Sequence, residues 1–219
     1  MNKFIVIEGL DGAGKSTQIG LLRDFLTRSH IDHQYIHFPR TDSPIYGEMI
    51  ASYLRGEYGN IQDANPYLIS LIYAGDRNDA KSTIQRFLDK DILVLVDRYV
   101  YSNIAFQCAK LNDKSEKEKL KRWILCLEYE YNKIPKPVLS IYLHVPFEFV
   151  SGQLKKTRSG HQRSYLNGKN DIHESSLDFQ KKVETEYIRL LDELAVSQKS
   201  INQEDMRNGL KQGGSSSVN

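Results

Sequence analysis

FIVIEGLDGAGKST, residues 4–17, gives the clearest indication of the fold. Phe4–Ile7 is a short apolar run that predicts a buried strand, whereas the apolar side chains of Lys15–Arg28 recur at helical spacing. Between them, residues 9–16 match the pattern G-x-x-x-x-G-K-[ST]. That pattern is informative only after a strand and before a helix, which is the context here. We therefore predict a phosphate-binding loop (P-loop).

Each part of this loop has a physical role in holding a nucleoside triphosphate. Glycines let successive backbone N–H groups point inward at an anion, and the helix N-terminus adds partial positive charge. Lys15 is expected to reach the β- and γ-phosphates, and the Ser16 hydroxyl to ligate Mg²⁺. The predicted ATP-binding residues are Gly9, Leu10, Asp11, Gly12, Ala13, Gly14, Lys15, Ser16 and Thr17.

Apolar runs alternate with amphipathic segments along the rest of the chain. Further strands are predicted at 35–38, 92–96 and 138–143, with a weak, polar one at 195–201. Helices are predicted at 15–28, 45–54, 64–88, 100–110, 116–131, 146–156 and 177–194. This alternation predicts an α/β fold in which a parallel β-sheet is flanked by helices, in three α/β/α layers. Right-handed crossovers then bring the loops that follow the strands to one edge, where ligands bind.

The chain of 219 residues suits one α/β domain with a small lid. We expect a single P-loop domain over residues 1–211. The lid is expected at about 157–172, because this stretch is polar and rich in Gly, Ser and Asn. Residues 212–219 are rich in Gly and Ser and are expected to form a disordered tail.

Composition and charge exclude several classes of protein. With 30 Lys and Arg against 28 Asp and Glu, the net charge is +2, which argues against a dedicated nucleic-acid binder. Cys108 and Cys126 lie in helical segments without metal-ligand spacing, so both are expected to be small core residues in a reducing environment. The N-terminal apolar run is too short for a signal peptide, and no run reaches the length of a membrane span. We expect a cytoplasmic protein that binds small molecules, with no nucleic acid or membrane partner.

The sequence DRYVYSN, residues 97–103, follows the apolar strand predicted at 92–96. An acid at a strand end that faces the P-loop suits Mg²⁺ or its water shell, so Asp97 is a predicted metal residue. Arg98 stands at the sheet edge, where a guanidinium binds a second phosphate with two hydrogen bonds. A GTPase would need an N-K-x-D motif and a D-x-x-G motif after the second acidic strand, and neither occurs: Asp97 is followed by Arg98, Tyr99 and Val100. A structural interpretation, with a helix cap and a surface charge, is the alternative.

Two further motifs are expected at the same edge of the sheet. HFPR, residues 37–40, ends a strand with an apolar turn and an arginine, and YAGDR, residues 73–77, lies in the long helix. Their aromatic side chains could stack on a base, and Arg77 could bind a carbonyl group on it. Taken singly, aromatic residues in such places are more often part of the core.

Together these motifs resemble the thymidylate (dTMP) kinase family. The matching segments are IEGLDGAGKST, FPR, the DR of the long helix, DRYVYSNIAFQ and IPKP, which occur in the family's order and cover roughly residues 3–195. The resemblance implies a P-loop kinase that transfers the γ-phosphoryl group of Mg·ATP to dTMP, giving dTDP and ADP. It also implies a homodimer, for which the long helix and the helix at 100–110 could supply the interface.

The resemblance also implies roles for individual residues. Lys15 would hold the ATP phosphates, Asp11 would orient the acceptor near its sugar, and Arg98 would hold the acceptor phosphate. Tyr73 would stack on thymine, and Phe106 would exclude a 2′-hydroxyl. The implied substrate-binding residues are Asp11, Phe38, Pro39, Arg40, Tyr73, Arg77, Arg98, Asn103, Phe106, Gln107 and His173.

One branch of the family carries a catalytic arginine within the P-loop, where this chain has Gly12. The chain therefore resembles the other branch, in which a lid arginine supplies the charge, and either Arg158 or Arg163 fits that role. The implied catalytic residues are Lys15, Asp11, Arg98, Arg158 and Arg163. His173 stands where relatives often have Tyr, so it either keeps a substrate contact or faces water.

Two alternatives stay open at this point. The first is a kinase for another nucleoside monophosphate or for deoxynucleosides, since a thymine methyl group is worth only about 1–3 kcal/mol in a pocket. The second is a non-catalytic nucleotide-binding protein, which would be expected to lack Lys15, Asp97 or Arg98, and all three are present.

Overall fold

The structure is a computed structural model, and it describes residues 3–61, 63–155, 165–167, 171–174, 176–193 and 198–202. Within them the strands are β1 Phe4–Glu8, β2 His33–His37, β3 Leu93–Asp97, β4 Leu139–His144 and β5 Gln198–Asn202. The helices are α1 Lys15–Arg28, α2 Tyr46–Leu54, α3 Pro66–Asp89, α4 Val100–Cys108, α5 Lys114–Leu125, α6 Phe147–Leu154 and α7 Leu177–Glu193. A π-helical segment, Cys126–Tyr131, continues α5.

The five strands form one sheet in the order β2-β3-β1-β4-β5, and every neighbouring pair is parallel. Val6 in the central strand pairs with Val96 on one side and with Ser140 on the other. Parallel strands need crossover connections, and here helices supply them. The predicted α/β fold with a helix-flanked parallel sheet is therefore confirmed.

Alternation along the strands buries both faces of the sheet. Phe4 and Val6 of β1 belong to the main core, which also holds residues of α3, α4, α5 and α7. Ile7 points to the opposite face, where it packs with Ile19 of α1 and Leu95 of β3. Since successive side chains of a strand point to opposite faces, one apolar run supplies both cores.

The carboxyl ends of β1 and β3 set the position of the site. β1 ends at Glu8 and leads directly into the P-loop, and β3 ends at Asp97 beside it. The α1 helix begins after Gly14, whose φ of 86° is a left-handed conformation that glycine adopts without strain. The motif glycine is therefore required by the backbone at the start of α1.

The predicted elements are all present, with ends that shift by a few residues. The largest difference concerns the helix predicted at 116–131, which becomes α5 followed by the π-helical segment. A single extra residue in a turn leaves the apolar pattern almost unchanged, so periodicity does not reveal it. The prediction that both cysteines are core residues is half wrong, because Cys108 is buried but Cys126 is exposed.

The weak last strand is present as β5, which starts three residues later than predicted. Most of the lid predicted at about 157–172 and all of the tail predicted at 212–219 lie outside the described residues. In the described part of the chain, none of the helices has the length and apolar character needed to cross a membrane.

Candidate active site

The P-loop wraps around the ammonium group of Lys15. Its Nζ donates to the backbone carbonyls of Gly9 at 3.1 Å and Leu10 at 3.0 Å, and the residue is buried. Gly9 also lies against β4, since a Cβ there would come within 3.1 Å of the carbonyl oxygen of Leu143. The first motif glycine thus allows close packing on the sheet. Ser16 and Thr17 are exposed at the start of α1.

Lys15 lies among charged groups of both signs. Burial and the nearby Arg98 lower the pKa of Lys15, whereas Asp97, Asp11 and Glu8 act in the opposite direction. A positive charge in this loop is therefore electrostatically costly on its own, and the surrounding carboxylates offset part of that cost. The structure brings together four residues that the sequence predicts at this site: Lys15, Asp11, Asp97 and Arg98.

Asp11 and Arg98 form an ion pair across the top of the sheet. Arg98 Nη2 lies 2.7 Å from Asp11 Oδ1, and Gln180 of α7 donates to Asp11 Oδ2 at 3.1 Å. Burial alone would raise the pKa of Asp11, but the charges of Arg98 and Lys15 hold it well below its usual value. Asp11 is therefore ionised at neutral pH, and its charge fixes the direction of the Arg98 side chain.

A buried carboxylate, Glu8, holds the backbone on which Arg98 stands. Glu8 Oε1 accepts from the backbone N–H of Tyr99 at 3.0 Å, and Oε2 accepts from the hydroxyls of Tyr187 at 3.0 Å and of Ser102. Ser102 Oγ in turn lies 3.3 Å from Arg98 Nη1. Arg98 has a φ of 66°, an uncommon conformation for a residue other than glycine. This network, which we call the Glu8 network, joins β1, α4 and α7 beneath the arginine.

Asp97, at the end of β3, is the residue that the sequence predicts to bind a metal ion. Its Oδ2 lies 3.3 Å from Nδ1 of His37 at the end of β2, whereas its buried Oδ1 has no hydrogen-bond partner in the described part of the chain. Burial would raise the pKa of Asp97, but the charge of Lys15 and the bond from His37 lower it. An ionised carboxylate oxygen without a partner, at the end of the strand beside the P-loop, could bind a Mg²⁺ ion that keeps most of its own water.

A second buried ion pair lies on the acceptor side, between α3 and the π-helical segment. Arg77 binds Glu128 through Nε, at 3.0 and 3.1 Å, and also through Nη2, and both residues are almost fully buried. Asn103 Nδ2 donates to Ser70 O at 3.1 Å and to Glu128 Oε1 at 3.3 Å. The contact of Arg77 with a base therefore stays a prediction, because Nε and Nη2 are already bound to Glu128.

The turn predicted to hold the acceptor phosphate is anchored to α3. Arg40 donates through its backbone N and through Nε to the carboxylate of Asp76, both at 2.9 Å, and through Nη2 to Asp79 at 2.6 Å. Phe38 is buried in the main core beside Tyr99, and it precedes Pro39 through a cis peptide bond. The structure thus places Arg40 at the surface of this turn and Phe38 behind it.

His173 faces the protein interior and not water. Its ring packs on Phe106 at 4.9 Å and on Phe179 at 5.4 Å, and its Nε2 lies 3.0 Å from the hydroxyl of Tyr53. Burial, with a contribution from Lys110, lowers the pKa of His173 to about 3, so the imidazole is neutral at physiological pH. Of the two alternatives from the sequence, facing water is wrong.

Sequence reasoning missed the residues that support this site. Glu8 and Ser102 lie inside the recognised motifs, and a charged residue at the end of an apolar strand was a usable signal for Glu8. Tyr187, Glu128 and Lys110 carried no such signal, because they approach the site only through tertiary packing. Two predicted catalytic residues, Arg158 and Arg163, lie outside the described residues.

In comparisons with known proteins, this chain is similar to thymidylate kinases. The family model for thymidylate kinase matches residues 7–208. A thymidylate kinase of Plasmodium falciparum (isolate 3D7) is 35% identical over 144 residues, which make up 66% of this chain and 62% of that protein. One of Mycobacterium tuberculosis (strain ATCC 25618 / H37Rv) is 31% identical over 155 residues, 71% of each. The solved structure of thymidylate kinase from Candida albicans matches with a TM-score of 0.72 and 26% identity, over 96% of this chain and 88% of that one.

Proposed function

The chain belongs to the thymidylate kinase family, and we propose that it transfers the γ-phosphoryl group of ATP to the 5′-phosphate of dTMP. The observation that carries this proposal is the Arg98–Asp11 ion pair, which places a guanidinium beside Lys15 at the mouth of the P-loop. A kinase for a monophosphate needs two anion sites side by side, one for the donor and one for the acceptor. Lys15 supports the first of these sites, and Arg98 supports the second.

The reaction needs little covalent chemistry from the protein. An oxygen of the dTMP phosphate attacks the γ-phosphorus, the bond between that phosphorus and the β–γ bridging oxygen breaks, and ADP leaves with the electron pair. Catalysis then depends on positioning and on neutralising charge. Lys15 would stabilise the transferring group, Arg98 would hold the acceptor phosphate, and Asp11 would keep Arg98 in place.

We propose Mg²⁺ as the cofactor, held by Asp97 and the hydroxyl of Ser16. The buried Oδ1 of Asp97, which has no hydrogen-bond partner in the described part of the chain, supports this assignment. When bound with ATP, the ion neutralises charge on the β- and γ-phosphates.

We assign the chain to the family branch that uses a lid arginine, because Gly12 occupies the P-loop position of the alternative arginine. Arg158 and Arg163 would then supply the mobile charge, which in related phosphoryl transfers is worth about 10³–10⁵ in rate. Replacing both with alanine should lower kcat by at least about 10³, and unchanged turnover would refute the assignment.

We also propose a cytoplasmic homodimer. The free thiols of Cys108 and Cys126 are consistent with a reducing compartment. Helix α4, one of the two helices expected at the interface, is almost wholly buried and offers no surface. The first half of α3 offers an apolar surface, since Leu68 is 62% exposed and Leu71 is 48% exposed. Light scattering after size exclusion should give twice the chain mass, and Leu68→Glu with Leu71→Glu should give monomers.

The proposed function is tested by measuring ADP formation from Mg·ATP with dTMP, dUMP, dCMP, UMP and AMP as parallel acceptors. A strong preference for dTMP is expected. Because the Candida albicans enzyme is described as having broad substrate specificity, dUMP is the most informative competitor. Equal rates with all five acceptors, or no ADP from any of them, would reject the assignment of dTMP.

A further inference from the structure

Among the described residues, three polar side chains of α4 and the turn that follows it carry buried atoms that make no hydrogen bond. In the part of the chain that the structure describes, Asn103 Oδ1, both amide atoms of Gln107 and Nζ of Lys110 are enclosed and make no hydrogen bond. Spacings of four and three residues keep them on one side of the helix, and the bond from Lys110 N to Gln107 O continues the helical course. We call these three residues the acceptor wall.

Lys110 is the most unusual member of the acceptor wall. Only 9% of the residue is exposed, and its Nζ lies 4.8 Å from the centre of the Tyr53 ring. Burial lowers the pKa of Lys110 to about 7. A buried ammonium group without a hydrogen-bonded partner is strongly unfavourable in a folded protein. Such a group is expected where a ligand completes its hydrogen bonds.

The position of Lys110 connects it to the acceptor site. The Tyr53 ring that it covers also packs edge-on against Tyr73, with 6.4 Å between ring centres, and against His173 at 5.3 Å. Tyr73 is the proposed stacking partner of the base. The four-carbon stem of lysine is flexible, so its Nζ can turn from the face of Tyr53 toward a ligand beside Tyr73.

The unpaired atoms of the acceptor wall match one type of base. Gln107 offers one donor and one acceptor, and Lys110 adds a second donor. A pyrimidine-2,4-dione presents a carbonyl, an imide N–H and a second carbonyl along one edge, and so needs two donors and one acceptor. Arg77 is less available for this role, because Glu128 binds its Nε and Nη2.

We infer that Lys110 is a specificity-determining residue of the acceptor site, whose Nζ donates a hydrogen bond to a ring carbonyl oxygen of a pyrimidine-2,4-dione base. This inference rests on the proposed function, since it concerns the acceptor of that reaction. It extends the site by a residue that no recognised motif contains. It also gives the unpaired charge of Lys110 a partner that is present only in the complex.

The test compares the wild-type protein with Lys110→Met and with Lys90→Met, a matched control at an exposed lysine at the end of α3. KM and kcat are measured for dTMP and for its 2-thio and 4-thio analogues, in which sulfur is the weaker acceptor. Melting temperatures are measured with and without dTMP. The Lys110→Met variant should raise the KM for dTMP about 10- to 100-fold, as expected for a hydrogen bond from a charged donor, with kcat within about threefold.

Two further results are expected from the same variants. The melting temperature of free Lys110→Met should equal or exceed that of wild type, because an unpaired buried charge is removed, and dTMP should raise it less. In the wild type, KM should be higher for the analogue that carries sulfur at the contacted carbonyl than for dTMP. In Lys110→Met, that analogue and dTMP should have the same KM. The analogue that behaves in this way identifies the carbonyl. The Lys90→Met control should match wild type throughout.

Several outcomes would overturn the inference. An unchanged KM in Lys110→Met would do so, as would a lower melting temperature with parallel losses in kcat and KM, which indicates a structural role. If the wild type forms no ADP with dTMP but dTMP still raises its melting temperature, the proposed function fails alone, and a smaller shift in Lys110→Met supports the inference. If dTMP causes neither turnover nor a shift, both are rejected.

Discussion

Lys15 and Arg98 on the phosphate side of the site differ from Gln107 and Lys110 on the acceptor side in how their buried polar atoms are paired. On the phosphate side, Lys15 bonds to its own loop, and Arg98 is fixed by Asp11 and the Glu8 network. On the acceptor side, Gln107 and Lys110 are buried without hydrogen-bond partners among the described residues. The side chains of Lys15 and Arg98 are thus held in place by the protein itself, whereas we infer that the acceptor wall depends on its ligand to complete its hydrogen bonds.

This difference indicates where binding energy is used. Charges that are already oriented require no rearrangement during phosphoryl transfer, which is how preorganised electrostatics lowers a barrier. Buried groups that lack partners reject ligands that cannot satisfy them, which is how a pocket gains selectivity. The phosphate side is therefore expected to control rate, and the acceptor side is expected to control choice.

The largest expected effect concerns the Arg77–Glu128 pair, a buried ion pair on the acceptor side whose two charges bind each other within the protein. Glu128→Ala should lower the free energy of unfolding by about 3–5 kcal/mol, because it leaves a buried guanidinium unpaired. Urea denaturation measures this change. Glu130→Ala, at an exposed position in the same segment, serves as the control and should change little. A loss below about 1 kcal/mol would show that the acceptor side does not depend on this pair.

The next prediction addresses the phosphate side through Lys15. Lys15→Ala should lower kcat by about 10²–10³, as for removal of one donor to the transition state. Its thermal stability should remain close to wild type, since the lost hydrogen bonds are to the carbonyls of its own loop. ADP formation at saturating dTMP measures the effect. A near-wild-type rate would contradict the role assigned to the P-loop lysine.

Arg98 lies at the boundary between the two halves, so its replacement tests whether it serves the acceptor or the nucleotide. Arg98→Ala should reduce kcat/KM for dTMP by about 10- to 100-fold and should leave the KM for ATP within a few-fold. Arg98→Lys keeps the charge but loses the planar fork, and it should recover only part of the loss. Steady-state kinetics with each substrate varied in turn provides the test. An unchanged dependence on dTMP would remove Arg98 from the acceptor site.

The smallest expected effect is a pH dependence of stability that comes from the acceptor side. Burial lowers the pKa of Lys110 from 10.5 to about 7, so between these values the unfolded state binds more protons and stability rises with pH. Burial, with the charges of Asp11 and Glu174, raises the pKa of Asp171 from 3.8 to about 7, so stability falls as pH rises through that interval. Tyr53, Tyr73 and His173 also surround this region.

Unfolding by urea between pH 5 and pH 10 separates the two contributions. Lys110→Met should remove a rise of at least about 1 kcal/mol above pH 7, and Asp171→Asn should remove the fall below it. A difference between wild type and Lys110→Met that stays constant across this range would show that the lysine is not held at a lowered pKa.

The sequence predicts the phosphate side better than the acceptor side, for a physical reason. The P-loop is local, since Gly9, Gly14 and Lys15 lie within seven residues of one another, and its function depends on backbone geometry that glycine reveals. Glu128 and Lys110 meet the site through packing between distant segments, which leaves no periodic signal. The exposure of Cys126, the first residue of the π-helical segment, also differs from the prediction.

The Glu8 network has a consequence for the order in which the activity is acquired during synthesis. The nucleotide loop is complete once residue 17 and the strands that support it have been made. The Glu8 network that supports Arg98 also needs Tyr187, which lies 179 residues after Glu8 in the chain. A nascent chain or a proteolytic fragment that ends before Leu177 keeps the loop but lacks this contact. Such a fragment is predicted to bind ATP without phosphorylating an acceptor, so we expect phosphoryl transfer to begin only after α7 has docked.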